Sequence, residues 1–313
     1  MRKLFVSLAV AASLLCLPVR PARAWNGAGH MIVARIAYAN LSDSTRARVD
    51  QLLRSHPDFT SIRQRTGLQQ SHPDFGLAVF MRAATWPDDI KGDPRFHEDG
   101  EPPTPPRPGF PSMERHRGWH FIDTPFSTDG AQTAPAPEPN AITELPRLVS
   151  EIGNPAFPRN RQAYDLAWLL HLAGDVHQPL HSTARFTTRH GPPEGDRGGN
   201  LFIIRLSQNS TTNLHSFWDG LLGTSTTISS VKGQGTSITN AFPPQGQPGT
   251  SPKAWADESF GLRERVYSIG SDSKGAPTPR VTQSYRNDSR LIARERAALA
   301  GYRIAAILNE RLP

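Results

Sequence analysis

The sequence predicts an all-α fold, a single mainly helical domain with at most a short hairpin. Three observations carry this reading. Apolar residues recur at helical spacing over eight segments. Strand signals are few. The segments are separated by long loops rich in proline and glycine.

The first 24 residues stand apart. Arg2 and Lys3 precede an apolar run from Leu4 to Leu17 that is too short to span a bilayer. Ala22-Arg23-Ala24 then fits a signal-peptidase site. The expectation is a leader over 1–24 and one domain over 25–313, cleaved between Ala24 and Trp25 and delivered to the periplasm or the medium. No later stretch is apolar for long enough to cross a membrane. Cleavage leaves 31 basic against 28 acidic residues, so the formal net charge falls from +7 to +3. An excess of that size helps an anionic partner approach without demanding a nucleic acid. Cys16, the only cysteine, is lost as well. Bound metal is the expected brace in place of a disulfide, because ligand binding energy adds to folding energy.

The periodicity predicts helices over 28–40, 43–55, 74–85, 141–153, 160–178, 214–222, 254–268 and 288–311. The last shows the broadest apolar stripe, through Leu291, Ile292, Ala297, Ala300, Ile304 and Leu308. Leu201–Leu206 is the best strand, one arm of a short hairpin. Loops are expected over 92–118, 125–139, 187–199 and 232–252. Loops this long are usually functional rims or disordered, and candidate ligands lie on both sides of the first three, which argues against domain linkers.

The densest chemistry lies in His171-Leu-Ala-Gly-Asp175-Val-His177-Gln-Pro-Leu-His181. Nitrogen and oxygen donors at that density suit zinc. His171 and Asp175 share a helix face at i and i+4, and His215 and Asp219 repeat the unit. His177 lies about 240° around the helix from His171 and points elsewhere. Pro179 should bend or end the helix, letting His181 turn back toward a second ion. Burying four ionisable side chains without a metal would be costly. Taken alone, His215 and Asp219 also fit an exposed polar helix edge. Trp86-Pro-Asp88 and Trp119-His120-Phe121-Ile122-Asp123 add candidates that are weak singly. His56, His72, His97, His116 and His190 read as ordinary loop or helix-end histidines. Two metal-pinching units in one chain suggest a multinuclear site and hydrolysis.

In chain order stand Trp25-x4-His30, Trp86-Pro-Asp88, His120-Phe-Ile-Asp123, the His171–His181 segment, Gly198-Gly-Asn200, and Asn213-Leu-His215-Ser-Phe-Trp-Asp219. This series resembles the zinc-dependent single-strand nucleases of the S1/P1 type, which are related to zinc-dependent phospholipase C. The resemblance implies a helical fold around a cleft holding three zinc ions. It implies Asp88, His120, His171 and Asp175 at the first ion and His181, His215 and Asp219 at the second. It places Trp25, His30 and Asp175 at the third, with Asp175 bridging. The Trp25 donors would be its α-amino nitrogen and carbonyl oxygen. A free α-amine exists only after cleavage, so the third site would be completed on export.

By the same resemblance Asp123 is the non-ligand carboxylate that orients and helps activate water. Its alternative is a hydrogen-bond partner fixing His120. Lys91 would steady phosphate charge in the transition state, or be a solvated surface lysine. Phe121 would stack a base, or belong to the core. His177 is assigned to the support behind the ligands. The implied activity is a secreted, monomeric endonuclease acting on single-stranded DNA or RNA to give 5′-phosphate products, with 3′-nucleotidase action as a second possibility. The chain keeps no mature cysteine where eukaryotic relatives use disulfides, which points to a bacterial exported protein. Its long loop between Asp88 and His120 leaves strand preference open. Two rivals stand beside this reading: a zinc-dependent phospholipase C, and a non-catalytic exported zinc-binding protein with closed four-ligand sites. Trp25-x4-His30 and the His120–Asp123 block favour the nuclease.

Overall fold

Local capping chemistry sets where the helices begin in the computed structural model, which describes residues 25–273 and 275–313. The expected leader lies outside these residues. Helix α1 (Gly27–Ala39) opens at Asn26, whose side chain accepts the Gly29 N–H, and Ser42 caps α2 (Asp43–Leu53) in the same way. Next come α3 (Phe59–Gln64), α4 (Phe75–Ala83) and α5 (Trp86–Asp89). A full capping box between Asn140 and Thr143 starts α6 (Ala141–Glu151), and α7 (Arg159–Asp175) follows. The remaining helices are α8 (Leu214–Asp219), α9 (Ile228–Ala241), α10 (Pro252–Gly261), α11 (Arg263–Val266) and α12 (Gln283–Arg311). Strands are minor. β1 (Pro125–Ser127) pairs in parallel with β2 (Ala184–Phe186), and β3 (Ile203–Ser207) forms an antiparallel hairpin with β4 (Ser210–Asn213). The fold is mainly all-α, as the periodicity predicts.

Helix α7 is the axis of the molecule. It is buried continuously from Gln162 to Asp175, so apart from His171 and Asp175 its second half is apolar all round rather than amphipathic. It packs against α1, α2, α5, α6 and α12, while α1 packs against α4, α9 and α12. The apolar core runs unbroken from Trp25 to Leu312. Beneath the ligands it is aromatic. Trp168 meets Trp86 edge-on at 6.2 Å and His120 at 5.5 Å between ring centres. Among the described residues no helix is long and apolar enough to cross a membrane.

Several boundaries differ from the sequence expectation. Helix α7 ends at Asp175, three residues early. Gln178 then adopts an extended conformation, and its side chain accepts the Leu180 N–H, starting a 3-10 turn over Pro179–Ser182. This turn carries His181 back toward α7. Helix α8 also stops three residues early, at Asp219. The expected helix over 254–268 breaks at Leu262 into α10 and α11. Helix α12 begins five residues early because Thr282 caps it. The largest difference is α9, which occupies half of the expected loop over 232–252. Glycine, serine and threonine mask its periodicity, yet Val231, Gly235 and Ile238 form a buried i, i+4, i+7 stripe in a helix packed on α1.

Candidate metal centre

Six separate segments deliver the candidate ligands to one place. His30 comes from α1 and Asp88 from α5. His120 closes a 3-10 turn over Arg117–His120, and His171 and Asp175 come from the end of α7. His181 comes from the turn after α7, and His215 and Asp219 from α8. Three groups form: His30, His171 and Asp175; Asp88, His120 and His171; and His181, His215 and Asp219. Within each, the potential ligand atoms lie within 4.8 Å of one another.

Asp175 joins the first two groups. Its Oδ1 lies 3.3 Å from His30 Nε2, while Oδ2 lies 3.1 Å from His120 Nδ1 and 3.3 Å from His171 Nε2. His171 Nε2 is 3.7 Å from Asp88 Oδ1. In the third group Asp219 lies 4.0 Å from His181 Nε2 and 3.7 Å from His215 Nε2. Gln178 donates to Asp219 Oδ1 at 2.8 Å and so orients this carboxylate from behind.

Backbone carbonyls set the imidazole tautomers. Nδ1 of His171 donates to Ala84 O, that of His181 to His120 O, and that of His215 to Gly198 O, at 2.8, 2.6 and 2.7 Å. Each donation leaves an Nε2 lone pair facing the centre. Two close nitrogen pairs result, His171 Nε2 with His120 Nδ1 at 2.9 Å and His181 Nε2 with His215 Nε2 at 3.0 Å. Burial works against protonating any of them. It holds His120, His171 and His181 well below the ordinary imidazole value and brings His215 down to about 4. Both nitrogens of His30 and Oδ1 of Asp175 are buried without a hydrogen-bond partner. Convergent lone pairs and orphaned polar atoms of nitrogen and oxygen type fit zinc, which would satisfy them together.

The carboxylates respond differently to burial. It raises Asp175 to about 6 and Asp219 well above its ordinary value. Burial also pushes Asp88 up, but Lys91, His171 and His30 together hold it below the usual carboxylate range. Lys91 Nζ lies 2.7 Å from Asp88 Oδ1, so this lysine is engaged at the centre rather than solvated.

Two glycines make the convergence sterically feasible. A Cβ on Gly174 would sit 3.1 Å from His30 Nδ1 and 3.9 Å from Trp25 Cδ1. A methyl there would press the His30 ring away from α7 by a few tenths of an ångström. Gly198 has φ +60°, and a Cβ would meet Leu180 O at 2.3 Å. Its conformation aims the carbonyl that fixes His215.

Trp25 is fully buried, and its indole Nε1 donates to Gly174 O at 3.0 Å. The next residue ties the segment to α8, through Asn26 N–H to Asp219 O at 3.3 Å. His177 points away, with Nδ1 on Ala173 O and Nε2 2.8 Å from an Arg303 nitrogen.

A cavity of about 790 Å³ opens onto the centre, with His120, His181 and His215 in its lining. Lys91, Phe121 and Asp123 line it too. Phe121 is therefore a partly exposed wall residue and not part of the core. Asp123 has a left-handed backbone, φ 54°. Burial, then the Asp196 and Glu194 charges, push its carboxyl up to about 7. Sequence reasoning missed Arg117 and Arg197, which stand at the same cavity. Their only local signal is proximity to His120 and to Gly198-Gly199.

The S1/P1 Nuclease family model matches residues 25–313. Endonuclease 3 of Arabidopsis thaliana is 25% identical over 229 residues, covering 71% of this chain and 61% of its own length. Endonuclease 5 of the same plant is 29% identical over 227 residues, 71% of this chain and 62% of its own. Endonuclease 1 is 23% identical over 217 residues, 66% and 56%. The chain thus spans about three fifths of the length of the curated relatives it matches. With the family match running through the whole described fold and every segment of the metal centre, the chain belongs to the S1/P1 nuclease family.

Proposed function

We propose that this chain is a secreted, monomeric, zinc-dependent endonuclease. It hydrolyses phosphodiester bonds of single-stranded DNA or RNA to 5′-phosphate products, with 3′-nucleotidase action at the same centre. The observation that carries this is the convergence of three His/Asp groups at one cavity that also presents Lys91, Asp123 and Phe121. The ligand sets are those the family resemblance implies, three zinc ions with Asp175 shared between two. Zinc bound there supplies Lewis acidity, which lowers the pKa of water and neutralises phosphate charge.

The chain's own residues do the rest. Asp123, poised near neutrality, accepts the proton of the water that attacks phosphorus in line. Lys91 stands beside Asp88, where its ammonium counters charge on the phosphoryl oxygens. Arg117 and Arg197 stand at the cavity, paired with Glu98 and Glu194 respectively, and offer guanidinium donors to an anionic backbone. Phe121 offers a base a sequence-tolerant stacking face. His120, His181 and His215 line the cavity, so the centre is reachable by substrate, unlike a closed structural site. Export and cleavage before Trp25 complete the reading. In its support, the family match begins at that residue.

The test is an assay of mature protein on single-stranded DNA, double-stranded DNA, RNA, a 3′-nucleotide and phosphatidylcholine, with and without chelator. Acid-soluble 5′-phosphorylated products that vanish with chelator and return with zinc are expected. Head-group release without nucleotide release would transfer the reading to a phospholipase, and no metal-dependent turnover would remove it.

A further inference from the structure

We infer that Asp196 is a positioning residue for His215: its buried carboxylate holds the loop whose Gly198 carbonyl sets the His215 ring. The inference rests on the proposed reading of His181, His215 and Asp219 as zinc ligands.

The loop needs such a hold. Gly195, Arg197, Gly198 and Gly199 all have left-handed backbones, with φ 61°, 55°, 60° and 78°. That conformation is costly for an arginine and persists only where the surroundings over-determine it. The segment lies between β2 and β3, outside the helices and strands, so no regular ladder fixes it.

Asp196 supplies the hold. Its side chain is fully buried. Oδ1 accepts the Arg185 N–H at 2.9 Å, and Oδ2 accepts the Tyr267 hydroxyl at 2.8 Å. Its own N–H donates to Arg185 O at 2.9 Å, and its carbonyl accepts the Leu201 N–H at 3.1 Å. One residue thereby ties the loop to β2, to Tyr267 and to the loop's own far end. A buried carboxylate needs a compensating charge. Arg185 provides it, with Nε 3.8 Å from Asp196 Oδ2 and the guanidinium 4.6 Å from the centres of both the Phe202 and Tyr267 rings. Asp272 holds the other end of that guanidinium at 2.6 Å. Burial pushes the Asp196 carboxyl up, while donors from Arg185, Tyr267 and Gly199 and the Arg185 charge oppose it.

The hold reaches His215 through the backbone. Two residues after Asp196, Gly198 O accepts from His215 Nδ1 at 2.7 Å. Gly199 O accepts the His215 main-chain N–H at 3.4 Å. Asp196 thus acts on the tautomer and direction of the His215 ring through the Gly198 carbonyl. Asparagine is a poor substitute, because its amide presents N–H groups where both carboxylate oxygens accept.

The test compares mature wild type with Asp196→Asn and Tyr267→Phe, each with isotope-labelled histidine, before and after zinc loading. In the zinc-loaded proteins a competing chelator reads the affinity of each ion. One zinc per chain is expected to bind about 10–100-fold more weakly in Asp196→Asn, with the others as in wild type. Tyr267→Phe should weaken the same ion by less. In the metal-free proteins NMR reads the His215 Nδ1–H, which should exchange slowly in wild type and faster in both variants. Ser42→Ala, which removes the cap of α2, is the control for destabilisation alone and should lower Tm with zinc affinities unchanged. If Asp196→Asn does not fold, Tyr267→Phe decides. An unchanged His215 signal in the folded variants overturns the inference, as does equal weakening of every ion. If wild type binds no zinc at His181, His215 and Asp219, the metal reading fails by itself, and the His215 signal still decides whether Asp196 positions that ring.

Discussion

Nε2 of His181 and Nε2 of His215 face each other at 3.0 Å, while Nδ1 of each donates to a backbone carbonyl. Neither nitrogen has a proton to share, so the contact is repulsive until a cation lies between them. Chelation should therefore loosen the fold as well as stop turnover. A site held at a thousand times its Kd stabilises by about 4 kcal/mol. In a chain of this size that is a Tm drop on the order of 10 °C. Calorimetry with chelator, then with zinc restored, reads it directly. An unchanged Tm would separate the fold from its metal.

Gly174→Ala tests the closure of α1 on α7. In an exposed helix the change would stabilise by about 0.5–1 kcal/mol. Here the added methyl lies 3.1 Å from His30 Nδ1. We expect one zinc fewer per chain and a large loss of turnover, with helix content kept. Metal analysis showing a full complement would rule the steric argument out.

How much of this was legible in the sequence depended on range. The pairs His171–Asp175 and His215–Asp219 were visible because i, i+4 spacing is a local rule, and the structure places each pair on one face. Asp88 and His120 carry weak local signals, and only the family pattern joined them to the rest. Arg117, Arg197 and Gln178 left almost no trace, because rim and supporting positions are fixed by how loops return to the cavity. Helix α9 was hidden by small polar residues whose buried stripe shows only once α1 lies against it.

Asp123→Asn should separate catalysis from stability. As a proton acceptor the residue works ionised, so the rate should climb through about pH 7 and level off above it. The asparagine variant should lose about 10²–10⁴-fold in kcat and lack that acidic limb. Stability should move the other way. The folded carboxyl keeps its proton up to about pH 7, whereas the unfolded chain releases it near 3.8. Folding is thus increasingly disfavoured as pH rises between those values. Above pH 7 the variant should melt higher than wild type. A variant with intact turnover, or one with an unshifted acidic limb, would return Asp123 to a purely supporting role.

The N-terminus offers the sharpest test of how processing and chemistry connect. Trp25 is held by its indole, which donates to Gly174 O one residue before Asp175, and by Asn26, which bonds to Asp219 O. The family resemblance implies that a metal contribution from Trp25 comes from its main-chain atoms, and the indole is engaged with that carbonyl. A free α-amine titrates near ~7.7–8.0 and becomes a donor once zinc displaces its proton. A mature protein carrying one extra residue before Trp25 keeps every side chain but replaces that amine with an amide. We expect it to fold, to hold one zinc fewer and to lose most of its turnover. Enzymatic removal of the added residue should restore both. If the extended protein binds the full complement and cleaves at the wild-type rate, the amine is not a ligand and export does not complete the centre.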